Sequence, residues 1–276
     1  MKFISYAQNF EDVILWRTFK LFGPGQYIDV GANHPQIDSV TLSLYQRGWR
    51  GINVEPVPHF HRLLSEQRPD EVNLCTAVGK ETGTYAFFEN QETGLSTLDN
   101  QAAQLQRQNG YAFQERSVAT VSLAEICDTY LDKSKPFHFL KIDVEGFEQQ
   151  VIDGMDFQRW RPWLILIEAP FNKVPEWEGD LLSAGYQLAY KDGLNNFYLA
   201  NEHPELQAPL SMPPNILDGF VLCAGHSLSA PASNPAAQST VGGDTVARIS
   251  TQSLFRILAG RVVTAVTSRF SGKARA

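Results

Sequence analysis

The run Tyr27-Ile28-Asp29-Val30-Gly31-Ala32-Asn33, answered by Ile52-Asn53-Val54-Glu55-Pro56, constrains this chain more than any other feature. A short apolar run, then Asp-x-Gly, then a helical stretch, then a second apolar run closing on an acid is the pattern of a β-α-β unit that grips a nucleoside. The glycine lets the backbone approach the ligand, and the acid accepts the ribose hydroxyls. A dinucleotide site would need G-x-G-x-x-G to seat a pyrophosphate on a helix N-terminus. Here the six positions are Gly31-Ala32-Asn33-His34-Pro35-Gln36, with one glycine and a proline. The expected ligand therefore carries ribose and adenine without phosphate. S-adenosylmethionine meets that description, and its sulfonium and ammonium charges favour carboxylates such as Asp29 and Asp143.

The 276 residues, 43% hydrophobic, suffice for one large α/β domain with a tail. A net charge of -7 argues against a nucleic-acid partner. Cys75, Cys127 and Cys223 have no C-x-x-C spacing and are expected to be reduced thiols. Glu11 and Asp12 precede any long apolar run, so no secretory signal is expected, and no stretch is long enough to span a bilayer. The expected location is cytoplasmic, at most peripheral to a membrane.

Apolar periodicity predicts helices over 8–22, 38–46 and from Pro58 to about Arg68, and strands over 26–30 and 51–55. Further apolar runs lie at 73–78 and 85–89, and residues 90–120 are expected to be a binding loop with a short helix. A helix over 122–132 leads to a strand over 137–144, a helix to about Gly154 and a strand over 163–168. After a helix near 176–184, the runs 186–191 and 196–200 flank Asp192-Gly193-Leu194-Asn195 as a hairpin. The α/β domain is placed at 1–227, a Ser/Ala/Pro/Gly-rich linker at 228–245 and a basic amphipathic helix at 246–276. The tail from 229 on is +5 and the rest -12. It is suited either to an anionic membrane or to docking on the acidic body or another subunit.

Four strands end on or beside an acid: Asp29, Glu55, Asp143 and Glu168. They are expected to surround one crevice at the carboxyl ends of the sheet. Asp143, Glu145, Glu168 and His34 are the candidates for catalysis, each against a blander role: helix capping for Asp143 and Glu145, a buried satisfied acid for Glu168, a solvated or hydrogen-bonding loop residue for His34. Asp29, Gly31, Asn33, Glu55, Asp143 and Gln8 are the cofactor candidates, with Gln8, Asn9 and Asp12 closing over it. Ser96 and Thr97 are candidate substrate donors, or else turn formers. An oxygen-rich set of Asp143, Glu145 and Glu168 would also suit a divalent metal, which is left unassigned.

Several motifs together resemble the FkbM family of S-adenosylmethionine-dependent methyltransferases. They are Tyr27 to Ala32, Ser39-x-Thr41, Gly48-Trp49-Arg50-Gly51-Ile52, Glu55-Pro56, Gly94-Leu95-Ser96-Thr97 and Leu140-Lys141-Ile142-Asp143-Val144-Glu145-Gly146 with Glu148. Ser5-Tyr6-Ala7-Gln8-Asn9-Phe10-Glu11-Asp12 and Pro213-Pro214-Asn215-x-x-Asp218-Gly219-Phe220 are closer to its NoeI-like branch, associated with 2-O-methylation of fucose in glycolipid signals. The resemblance covers about residues 3 to 224. It implies a class I, Rossmann-like, mostly parallel α/β sheet with a terminal antiparallel hairpin and helices on both faces. It further implies O-methyl transfer, often to a sugar or glycolipid acceptor. Two other hypotheses remain beside it, a nicotinamide-dependent oxidoreductase and a non-catalytic scaffold with the same fold.

Overall fold

The structure, a computed structural model, describes residues 2–91, 93–169 and 174–229. The tail helix and all but the first two linker residues lie outside the described residues. The strands are β1 (Phe3–Ser5), β2 (Gln26–Val30), β3 (Arg50–Val54), β4 (Val72–Leu74), β5 (Ala77–Gly79), β6 (Gly83–Glu89), β7 (Gln114–Ser122), β8 (Phe137–Ile142), β9 (Leu164–Glu168), β10 (Tyr186–Lys191), β11 (Asn195–Ala200) and β12 (Phe220–Leu222). The helices are α1 (Glu11–Phe19), α2 (Leu42–Tyr45), α3 (Pro58–Gln67), α4 (Asn100–Gln108), α5 (Leu123–Tyr130), α6 (Glu148–Asp153), α7 (Glu178–Ser183) and α8 (Gln207–Leu210).

Seven strands form the central sheet in the order β10-β11-β9-β8-β2-β3-β4. Pairing from β9 through β4 is parallel, and β11 is antiparallel to both β9 and β10. This is the mostly parallel α/β sheet with a closing hairpin expected of a Rossmann-like methyltransferase. The order reverses between β2 and β8, and in such sheets the ligand crevice lies outside the strand ends at that reversal.

Period-two alternation assigns the two faces of the sheet. Ile28, Val30, Leu140, Ile142, Ile165 and Ile167 pack with Leu123 and Ile126 of α5, Val151 of α6 and Leu181 of α7. Tyr27, Phe139, Leu164, Leu166, Phe197 and Leu199 face the other way, against Ile14, Leu15 and Phe19 of α1. Each such side chain contributes about 1.5–3 kcal/mol on burial, so both faces are firmly covered.

Three sequence-based boundaries change. The run at 73–78 splits at Cys75-Thr76, with β4 joining the central sheet and β5 pairing with β7 in a separate three-stranded sheet, β5-β7-β6. The chain leaves the edge of one sheet to start another, which an unbroken apolar run conceals. Residues 114–122, expected as loop, form the longest described strand, pairing along the whole of β6. Only Val118 and Thr120 of it are buried, so its apolar signal is faint. The helix expected at 38–46 shrinks to one turn, because Asp38 holds a left-handed φ of 53° and pairs with Ala7.

Outside the sheets, β1 pairs in parallel with β12, so Ser5 to Asp12 and Pro213 to Phe220 meet although more than 200 residues separate them. Arg17 of α1 bonds Asp218 at 3.1 Å, and Asp218 with Asn215 forms a capping box. A first compact unit ends at Cys223, and a second begins at Ala224. No helix among the described residues is long and apolar enough to cross a membrane.

Asp12 organises the N-terminal segment, and is fully buried. It accepts from Ser5 Oγ at 2.7 Å, Tyr6 N at 2.8 Å and Ala7 N at 3.4 Å. Asp12→Ala strands these donors without water. Urea denaturation should show a loss on the order of 2–3 kcal/mol, and a loss within experimental scatter would mean that the segment is held by other contacts.

Candidate functional site

The crevice is built from the carboxyl ends of β2, β3, β8 and β9. At the end of β2 the chain turns sharply, and Gly31 N and Ala32 N both donate to Val54 O, at 3.0 and 3.2 Å. Gly31 has φ +75°, and a Cβ there would lie 1.9 Å from the Asp143 carbonyl oxygen. Only glycine fits, because both the backbone conformation and the contact exclude a side chain. Asp143 N donates to Val30 O, so the ends of β2 and β8 are joined directly.

Glu55, one residue beyond β3, is 4% exposed. Its two oxygens accept from Asn33 N at 2.8 Å and Val57 N at 2.7 Å. Burial pushes its carboxyl up to about 7, against the pull of those amides. Asn33 holds φ 50° and lies under Gly94, so the loop between β6 and α4 touches the first ligand loop.

Asp143, Glu145 and Glu168 come together as expected, each half-buried and offering an oxygen within 4.8 Å of the others. The loop carrying the first two is shaped by Glu145, with φ 56°, and Gly146, with φ 103°. Glu148, buried and pushed up by that burial, accepts from Val144 N and Gly146 N and fixes the turn. Such a set of carboxylates stabilises positive charge, whether a sulfonium, an ammonium or a hard divalent cation.

Asp29 is elsewhere. It is the penultimate residue of β2, so alternation turns its side chain onto the α1 face of the sheet rather than out of the strand end. At 2% exposure it accepts from Thr41 Oγ1 at 3.0 Å and pairs with Lys141 Nζ at 3.2 Å. The structure commits its carboxylate to this internal ion pair. Lys141, which has no signal of its own in the sequence, also donates to Gly31 O at 2.7 Å and pairs with Asp143 at 3.5 Å. Burial disfavours its charge, but Asp29 and Asp143 outweigh burial and raise its pKa.

His34 does not point a free base at the crevice. Its Nδ1 accepts from Gln36 N at 3.1 Å and Ile37 N at 2.9 Å, so the neutral ring keeps its proton on Nε2 and has no other lone pair. Burial lowers its pKa further. Ser96 Oγ is exchanged with the backbone of Asn90, and buried Thr97 donates to Glu145 O at 2.9 Å. Both hydroxyls shape the loop instead of offering donors to a substrate. Gln8 lies half-buried in the turn before α1.

The same bonds decide against a phosphate cradle. The amides of Asn33, Gln36 and Ile37, which an anion would need, are taken by Glu55 and His34, and Leu42 N at the start of α2 faces Ser39 Oγ at 3.2 Å. An adenosyl group fits this site: glycine backbone at one strand end, a buried acid at the next, and carboxylates for a cationic centre. Asn9 and Glu11 reach the β10–β11 hairpin through Asp192 O and Asn195, beside the end of β9.

Among solved structures, the chain is similar to a methyltransferase FkbM from Methylobacillus flagellatus. The two share 14% identity and a TM-score of 0.41, over 64% of this chain and 43% of the other, so the likeness spans less than half of that protein. No curated protein sequence matches. The model of the methyltransferase FkbM domain matches residues 29–188, from Asp29 of β2 through both acidic strand ends to β10. With that match over more than half its length, the chain belongs to the FkbM methyltransferase family.

Proposed function

We propose that the protein transfers a methyl group from S-adenosylmethionine to a hydroxyl of a sugar, free or carried on a glycolipid, as in the NoeI-like branch that its terminal motifs resemble. The observation that carries this reading is the crevice at the sheet reversal, with Gly31, buried Glu55 and three converging carboxylates, and with the amides of Asn33, Gln36 and Ile37 already committed to side chains rather than to a phosphate. Glu55 would hold the ribose, and the glycine edge of Gly31 would flank the adenosyl chain. The bound cofactor supplies an electrophilic methyl on sulfur.

What remains for the protein is to place a hydroxyl oxygen in line behind that methyl and to take its proton. This reading gives the proton to one of Asp143, Glu145 and Glu168, supported by their convergence. Their negative charge also favours the cationic end of the cofactor over its neutral product, which assists release. Ala102 of α4 lies against Gly146, and Ala7 of the Ser5 to Asp12 segment pairs with Asp38 beyond β2; we take these two segments as walls of the crevice. Acceptor contacts are assigned to those two walls.

Incubation with trideuteromethyl-labelled S-adenosylmethionine and a panel of fucosylated oligosaccharides should give a product bearing one labelled methyl on oxygen, read by mass spectrometry. Binding of cofactor without transfer to any glycan would reject this acceptor class. Glu168→Gln and Asp143→Asn should each lower turnover by roughly a hundredfold, the usual scale for a lost general base. If neither these nor Glu145→Gln does, the base lies outside this cluster. Added Mg²⁺ tests whether the cluster needs a metal: dependence on it, abolished by chelator, would assign the three carboxylates as ligands.

Ribose hydroxyls donate best to an ionised carboxylate, so binding favours charged Glu55. Because burial holds its pKa near about 7 in the free protein, binding below that value must drive a proton off. Affinity for S-adenosylhomocysteine should therefore be level above that pH and fall by up to about tenfold per unit below it. Glu55→Gln should bind more weakly and lose this slope; a slope that survives the substitution belongs to another group.

A further inference from the structure

Lys141 lies in the middle of the sheet, where a charged side chain is costly unless something requires it. It is 6% exposed and sits opposite Asp29 in the parallel register of β8 on β2, so the fold places the two side chains next to each other on one face. The same register continues the polar row into Asn53 of β3 and Asn73 of β4, whose amides are bonded at 2.9 Å. Behind the row, Arg68 bonds Thr41 Oγ1 at 2.7 Å and Ser39 Oγ at 2.6 Å, and also Pro35 O. Thr41 in turn bonds Asp29. The loop after β2 is thus pinned from below by a continuous set of polar side chains that ends at Lys141.

At the crevice end, the Lys141 ammonium makes two contacts that matter for ligand. It holds the carbonyl of Gly31, where no side chain fits, and it pairs with the carboxylate of Asp143, one of the three acids. Asp29, buried beneath it, is its counter-ion.

We propose that Lys141 is the positioning residue of the cofactor site, setting the Gly31 carbonyl and the Asp143 carboxylate in one arrangement while Asp29 keeps its charge compensated from beneath. This deepens the cofactor assignment and rests on it. Without the ammonium, the two strand ends lose the shared donor that aligns their ligand-facing groups. Asp29 confers nothing on ligand directly, and its function is to make a buried lysine affordable.

Lys141→Met alone would leave Asp29 buried without a cation and could weaken binding merely by unfolding the site. The informative variant is Asp29→Asn/Lys141→Met, which removes both charges of the pair. Its urea midpoint should match the wild type more closely than that of Lys141→Met. Its dissociation constant for S-adenosylhomocysteine, measured by calorimetry on the full chain, should still rise by about tenfold or more, the scale of one lost charge-assisted bond. Asp29→Asn with Lys141 intact should bind within about threefold of wild type. A double variant that folds and binds as the wild type does would overturn the inference and leave the cofactor assignment standing. Failure of the wild type itself to bind would overturn both. If the double variant does not fold, Lys141→Gln decides: it keeps a polar side chain but removes the charge that pairs with Asp143, and an unchanged dissociation constant there also overturns the role.

Discussion

The row of polar side chains across the middle of the sheet, Lys141, Asp29, Asn53 and Asn73, is the constraint on which the rest of the structure depends. It sits on the face that otherwise buries Tyr27, Phe139 and Leu166, so each member must find partners inside the protein. Those partners define the neighbourhood: Thr41 and Lys141 on Asp29, Glu71 on Asn53 and on Tyr27, Arg68 on the loop from Pro35 to Thr41. Leaving any buried member without its partner costs more than an ordinary hydrogen bond is worth, which makes the loop above it geometrically determined. A rigid loop over a strand reversal is what a small-molecule crevice needs.

Above this row the crevice carries a different charge pattern. Asp29 is compensated internally, and the acids that face ligand are Glu55 at one end and Asp143, Glu145 and Glu168 at the other. The first end is neutral in tendency, a buried carboxyl poised near neutrality. The second is negative, moderated by Lys141 on Asp143. A ligand with a hydroxylated middle and a cationic end matches that gradient, and a pyrophosphate opposes it. The amides committed to Glu55 and His34 make the same distinction by geometry.

Much of this was legible in the sequence. The β2 and β3 motifs, the acids ending β8 and β9 and the closing hairpin are local patterns, and the fold places them where their spacing implies. What escaped is what depends on neighbours. Asp29 reads as a strand-end acid, yet it is one residue short of the end, and parity turns it inward. Lys141 carries no signal of its own until β8 is laid on β2 in register. Ser96, Thr97 and His34 have suitable chemistry for a site, but their bonds to Asn90, Glu145 and the amides of residues 36 and 37 consume it. Strand β7 was hidden because only two of its nine residues are buried strongly enough to show an alternating pattern.

The measurement that bears most directly on the central claim is a crystal structure of the protein with S-adenosylhomocysteine. The account requires the ribose diol on the Glu55 carboxylate, the chain of the ligand running past Gly31, and the thioether opening toward Asp143, Glu145 and Glu168. A ligand seated away from the ends of β2 and β3, or with its ribose held by groups other than Glu55, would contradict it.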